Sequence, residues 1–179
     1  MKRLAKLLLC LLVLTMAFSV HAEAKSTTRY TTKDVKVSSD VTLKMNTKVT
    51  YVKAGKTWAH IEYKGQKYKV KKIFLHEQKA VNKWKGKSFK NKGRGKWKKW
   101  SYTWYSSRQL SGKGLKIPGR HVDKKRGFIL DKDGYICLAS GVRNKKKHII
   151  VPTPFGRFGK VYDTNGRNNN KWFDVYTNW

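Results

Sequence analysis

Apolar and polar residues alternate with period two through much of the chain. Between residues 29 and 75, Val35 and Val37 flank a lysine, and Lys48-Val49-Thr50-Tyr51-Val52 alternates. So do Trp58-Ala59-His60-Ile61-Glu62-Tyr63 and Tyr68-Lys69-Val70. Lys53–Lys56 and Lys64-Gly65 supply turns. Strands expose alternate residues to opposite faces, so this pattern predicts a small β-barrel or sandwich. A second block covers 101–179. Its expected strands are Tyr102–Tyr105, Gly127–Leu130, Tyr135–Ser140, His148–Val151, Lys160–Tyr162 and Trp172–Tyr176. Asp131-Lys132-Asp133-Gly134 and Thr153-Pro154-Phe155-Gly156 read as turns, and 164–170 as a polar loop. Six short strands suit a compact barrel, and no long helix is expected.

Two segments break the alternation. Residues 7–20 are almost wholly apolar and follow Lys2, Arg3 and Lys6. A positive start, a short apolar run and the small-residue sites Val-His-Ala22 and Ala-Glu-Ala24 predict a secretory leader over 1–24. The second segment, 79–100, carries ten basic residues and no acidic one, with Trp84, Phe89, Trp97 and Trp100 interleaved. No period organises it. Charge repulsion predicts an extended, solvated linker. The expected divisions are 1–24, 25–78, 79–100 and 101–179.

Charge narrows the setting. The 179 residues hold 42 Lys+Arg against 10 Asp+Glu, a net charge of +32. Such a surface seeks a polyanion. Export would make wall polymers and lipid head groups the expected partners, with no specific nucleic acid and only weak contact with anionic membranes. The strip Lys85, Lys87, Arg94, Lys96, Lys98 and Lys99 is the expected polyanion contact. Seven Trp and nine Tyr argue against long disorder. Loss of the leader leaves Cys137 as the one cysteine, so no internal disulfide is expected.

Two resemblances extend this reading. Thr42-Leu43-Lys44 through Val52, then Trp58, Tyr63-Lys64-Gly65-Gln66 and a closing strand over 70–75 resemble bacterial SH3-like wall-associated domains. Asn46 stands where those domains often place a turn glycine. In the second block, Tyr135-Ile136-Cys137-Leu138-Ala139, Pro154-Phe155-Gly156, Val161-Tyr162-Asp163-Thr164 and Phe173-Asp174-Val175-Tyr176 resemble the double-psi β-barrel superfamily. More narrowly, they resemble the three-aspartate and lytic transglycosylase branch, which is related to the expansin-like and rare-lipoprotein-A-like barrels. The resemblance implies that Asp174 is the catalytic acid/base, with Asp163 supporting it. Asn165 departs from the family's Asp-Thr-Gly, and the family's first aspartate has no counterpart near Ala139-Ser140.

The fold class expected is therefore all-β, an SH3-like barrel and a six-stranded double-psi-type barrel. The function expected is an exported cell-wall protein that binds peptidoglycan and cleaves its glycan with one Asp. Tyr176, Tyr105, Trp104, Trp58 and Tyr63 are the expected sugar contacts. No cofactor or metal is expected. Non-enzymatic wall or polyanion binding is the alternative, and membrane action a third. Other chemistries fail on inspection. Cys137 lies mid-strand, unlike a peptidase nucleophile paired with His148. Pro152–Phe158 is similar to L,D-transpeptidases, but no later His or Cys follows.

Overall fold

A computed structural model describes residues 27–106, 116–140, 148–164 and 171–179. The expected leader and residues 165–170 of the polar loop lie outside these. The described chain is all-β, arranged as two main sheets and one short ribbon.

The first sheet orders its strands β6-β5-β4-β1-β7, every pair antiparallel. The strands are β1 (Thr27–Thr31), β4 (Lys48–Ala54), β5 (Trp58–Tyr63), β6 (Gln66–Lys71) and β7 (Leu75–His76). Strands β2 (Val35–Lys36) and β3 (Thr42–Leu43) form the ribbon. Ala59 and Ile61 of β5 are fully buried, as the alternation requires, and Val49, Val70, Leu43 and Val35 complete this core. The β5–β6 turn is Lys64-Gly65, both at positive φ, a conformation that suits a two-residue hairpin. Asn46 also takes positive φ, and asparagine tolerates this better than most residues. Its amide pairs both ways with the Ala80 backbone, Nδ2 donating at 3.0 Å and Oδ1 accepting at 2.9 Å. An asparagine therefore does at this turn what glycine could not.

The second sheet runs β13-β14-β12-β15-β9-β8, with the β10–β11 hairpin attached to the start of β12. Its strands are β8 (Arg94–Trp97), β9 (Trp100–Ser106), β10 (His121–Val122), β11 (Ile129–Leu130), β12 (Ile136–Ser140), β13 (Ile150–Pro152), β14 (Phe158–Thr164) and β15 (Trp172–Thr177). Two pairs are parallel, β12 with β14 and β15 with β9. One face covers a core of Tyr102, Phe128, Ile136, Leu138, Phe155, Val161, Phe173 and Val175. The two sheets meet through Ala80, Tyr135 and Phe158, and through a buried hydroxyl pair, Thr32 Oγ1 and Tyr135 Oη, 2.7 Å apart.

Three expectations require correction. Neither sheet closes into a barrel among the described residues, since β6 does not pair with β7 and β8 is an edge. The closing strand expected over 70–75 is interrupted by a 3-10 turn at Lys72–Phe74. The segment 79–100 is not an extended chain. It holds helix α1 (Gly86–Lys92) and β8. Phe89 and Trp97 are buried, and Trp84 packs beside them. The lysines face solvent while the rings enter the core, so repulsion between the charges is relieved by water without unfolding the backbone. Gly93, at φ +69, ends α1 by donating its N–H to the Phe89 and Lys90 carbonyls.

Candidate functional site

The second sheet's other face carries the acidic residues of interest. Strand register aligns Asp163 with Ala139, Ala139 with Asp174, Asp174 with Thr103, and Thr103 with Arg94. These five residues form one row across β14, β12, β15, β9 and β8. Adjacent strands lie about 4.8 Å apart, so the two aspartate Cα atoms stand about 10 Å apart across the small Ala139. A bulge between Leu138 and Ala139 makes this possible, because it shifts the β14 register by one residue. Without it, Tyr162 rather than Asp163 would oppose Ala139.

Asp174 is half-buried. Its Oδ1 accepts from the Thr103 hydroxyl in a short hydrogen bond, and from Trp172 Nε1 at 3.2 Å. Trp172 Nε1 also reaches Thr103 Oγ1 at 2.7 Å. No described donor reaches Oδ2. Asp163 is held at both oxygens instead: Oδ1 accepts the Thr164 N–H at 2.8 Å, and Oδ2 accepts the Tyr176 hydroxyl at 3.4 Å. Burial raises the Tyr176 phenol's pKa, and the Asp163 charge raises it further. At neutral pH the phenol is therefore a donor. Neither aspartate has a cationic partner among the described residues.

The expected sugar contacts divide. Asp174 and Tyr176 share a face, as alternation predicts, and the Tyr105 ring joins them with its centroid 6.3 Å from that of Tyr176. Tyr105 is 38% exposed. Trp104 is corrected to the opposite face, where it meets Trp179 and the core. Trp58 and Tyr63 do not converge either. They differ by an odd number of positions in β5, so Tyr63 packs on the first core while Trp58 is 40% exposed. Lys69 and Lys71 sit over the Trp58 ring at 5.3 and 5.8 Å. Thr103 and Trp172, the residues that hold Asp174, escaped the sequence reading. Their signal was the same alternation, Thr103 between Tyr102 and Trp104 and Trp172 two residues before Asp174. The parallel β15–β9 pairing that joins them has no local signature.

Cys137 is buried in the centre of β12, and burial raises its thiol pKa well above the usual range. It stays a neutral packing group, as its mid-strand position suggests. The six cations of the expected strip are all exposed. Lys85, Arg94 and Lys96 line a groove of about 620 Å³. Lys87 faces solvent on α1 outside that lining. Lys98 lies over Trp97 at 4.9 Å and donates to Gln78 Oε1 at 2.5 Å, and Lys99 lies over Trp100 at 5.6 Å.

No family model matches the chain, and no curated protein or solved structure matches it either. The class defined by the fold is that of an all-β protein with an aspartate row on one sheet face.

Proposed function

We propose that the chain is an exported cell-wall protein that cleaves peptidoglycan glycan strands as a lytic transglycosylase, with Asp174 as the single acid/base. The observation that carries this reading is the company the carboxylates keep. Cations outnumber acids by 42 to 10. Asp34, Glu77, Asp123, Asp131 and Asp133 all have Lys or Arg within 4.0 Å. Asp40 and Glu62 also lack such a cation among the described residues, and Asp163 and Asp174 are set apart from them by the hydroxyl, indole and backbone donors that hold them. A carboxyl locked in an ion pair cannot exchange its proton with a substrate, whereas one held by neutral donors remains available.

The difference between the two aspartates supports separate roles for them. Asp163 has both oxygens engaged and positions the face through Tyr176. No described donor engages Asp174 Oδ2. As an acid, Asp174 protonates the glycosidic oxygen while the C1–O bond breaks. As a carboxylate, it takes the proton of the same sugar's 6-hydroxyl while O6 bonds to C1. The products are an anhydro-sugar end and a free hydroxyl end, and no water is consumed. One carboxyl therefore serves both steps, unlike ordinary hydrolysis with its two. The strand order of the first sheet supports an SH3-like domain, and the two parallel pairs support a double-psi relative.

The test is incubation of the exported chain with purified peptidoglycan and mass spectrometry of the soluble products. Anhydro-sugar muropeptides, abolished in Asp174→Asn while the variant still pellets with the wall, are expected. Reducing-end products would replace this mechanism with hydrolysis. An absence of products with full pelleting would leave a binding protein.

A further inference from the structure

Beyond the aspartate row, we propose that the groove between α1 and β8 is a binding site for a linear phosphodiester polymer of the glycerol phosphate type. Five cations line it: Lys83, Lys85, Lys92, Arg94 and Lys96. Trp84 forms its apolar floor together with Phe89. Among the described residues the lining contains no carboxylate, and none of the five cations forms an ion pair. Five like charges around one concavity repel one another, and an anion threaded between them removes that cost.

The shape is built into the backbone. Gly86 lies so close to the Arg126 carbonyl that a Cβ there would sit 2.3 Å from its oxygen, so the start of α1 packs tightly on the turn between β10 and β11. Gly95 lies against the Trp84 ring, where a Cβ would come within 2.6 Å. Both glycines bring their neighbours closer than any side chain would permit, and the Gly95–Trp84 contact forms part of the groove's lining. Phosphate suits the lining better than carboxylate-poor glycan does. Arg94 presents a bidentate fork and the lysines act as point charges. Arg94 and Lys96 stand two residues apart on one strand, about 7 Å, in the range of successive phosphates along a glycerol phosphate chain.

The same details argue against other polyanions. Single-stranded nucleic acid is held by aromatic faces on which bases stack. The Trp84 ring is instead engaged by Phe89, stacked at 16°, by the edges of Tyr102 and Phe155, and by Gly95. The exposed large apolar residues, Trp58, Ile73, Tyr105 and Val122, all lie outside the lining, so it offers nothing to insert into a bilayer.

The test is a fluorescence-anisotropy titration of the exported chain with a labelled glycerol phosphate oligomer, free of peptidoglycan, over a salt series. Lys92→Ala/Arg94→Ala/Lys96→Ala is compared with Lys67→Ala/Lys69→Ala/Lys71→Ala, which removes the same charge from β6. The groove variant is expected to lose at least about tenfold in affinity and to flatten the log–log salt slope by about 2, at about 0.7 per lost contact. The β6 variant is expected to stay within about twofold of the parent. Gly95→Ala changes no charge and is expected to weaken binding with the slope retained. Equal loss in both triple variants, tighter binding of a single-stranded DNA oligomer of equal charge, or no binding by the parent at low salt would each overturn the proposal. Because the probe contains no glycan, the outcome is independent of whether Asp174 cleaves anything.

Discussion

Asp131 is the carboxylate on which the hairpin between β11 and β12 depends, and its removal gives a prediction that can be worked from geometry. It is fully buried. Oδ1 accepts the N–H groups of Asp133 at 2.9 Å and Tyr135 at 3.0 Å, while Oδ2 accepts the Tyr162 hydroxyl at 2.6 Å. Lys160 Nζ is 3.8 Å from Oδ2, at the long end of an ion pair. Burial raises the Tyr162 phenol's pKa and the Asp131 bond adds to it, so this proton stays on tyrosine. Hydrogen bonds to a charged group contribute about 1.5–3 kcal/mol each, but they do not add, and the Asp133 N–H can turn to water. Asp131→Ala would leave the Tyr162 hydroxyl and the Tyr135 N–H buried without partners, and Lys160 without its counter-charge. The expected loss is about 4 kcal/mol. Asp131→Asn keeps the Oδ1 acceptor and should cost about half as much. The assay is urea unfolding followed by tryptophan fluorescence, with slopes compared to confirm a single transition. A loss below about 1 kcal/mol for the alanine variant would refute the reasoning, since it would mean that water or another group replaces all three bonds.

Three further outcomes are expected. Gly159→Ala would place a Cβ 2.4 Å from Leu138 Cδ1 and 3.1 Å from Thr153 Cγ2, between two buried residues. It should cost about 2 kcal/mol in the same urea assay, the usual scale of overpacking. Burial holds the His76 imidazole below its ordinary pKa of 6.5. The folded state therefore binds this proton less readily than the unfolded chain, and stability should be full above pH 6.5 and decline as pH falls through the folded pKa. His76→Gln should flatten that decline in unfolding midpoints measured against pH. Finally, on the activity and the polymer binding proposed above, glycan release from walls that retain their phosphate polymers should fall steeply with salt, whereas release from stripped peptidoglycan should change little. Equal salt sensitivity on the two substrates would mean that the cations act at the cleavage row itself.

What the sequence disclosed depended on whether the cause was local. Strand β5 was legible from end to end, because one strand's alternation directly records which side meets the core. The Lys64-Gly65 and Asp131–Gly134 turns were legible for the same reason, since positive φ and Asx bonding are decided within a few residues. The segment 79–100 was not. Trp84, Phe89 and Trp97 enter the core from a helix, its approach and an edge strand, so their spacing follows no single period, and the lysines between them masked the rest. Trp104 and Tyr105 do not meet a sugar together, because neighbours in a strand face opposite ways and Trp104 turns to the core with Tyr102. Asp163 and Asp174 were legible as candidates. Their alignment across Ala139 was not, because it needs a bulge and three strands whose order no short stretch encodes.

The row itself explains how an acid site and a strongly basic surface can share one sheet. Asp163 and Asp174 occupy its inner strands, beside Ala139 and the neutral donors Thr103, Trp172 and Tyr176. Arg94, the row's one cation, stands at the edge, two strands from Asp174. At about 10 Å, roughly one Debye length at moderate salt, its charge acts on Asp174 as a weak and screened field, not as an ion-pair partner. Among the described residues the two inner carboxylates thus keep neutral company without the rest of the sheet being neutral. The edge strand, meanwhile, gains from its cations, because Arg94 and Lys96 discourage pairing with another chain's strand. Moving a cation one strand inward, as Thr103→Lys, would replace the donor to Asp174 with an ion-pair partner. On the mechanism proposed above, this should abolish glycan cleavage while leaving phosphate-polymer binding intact.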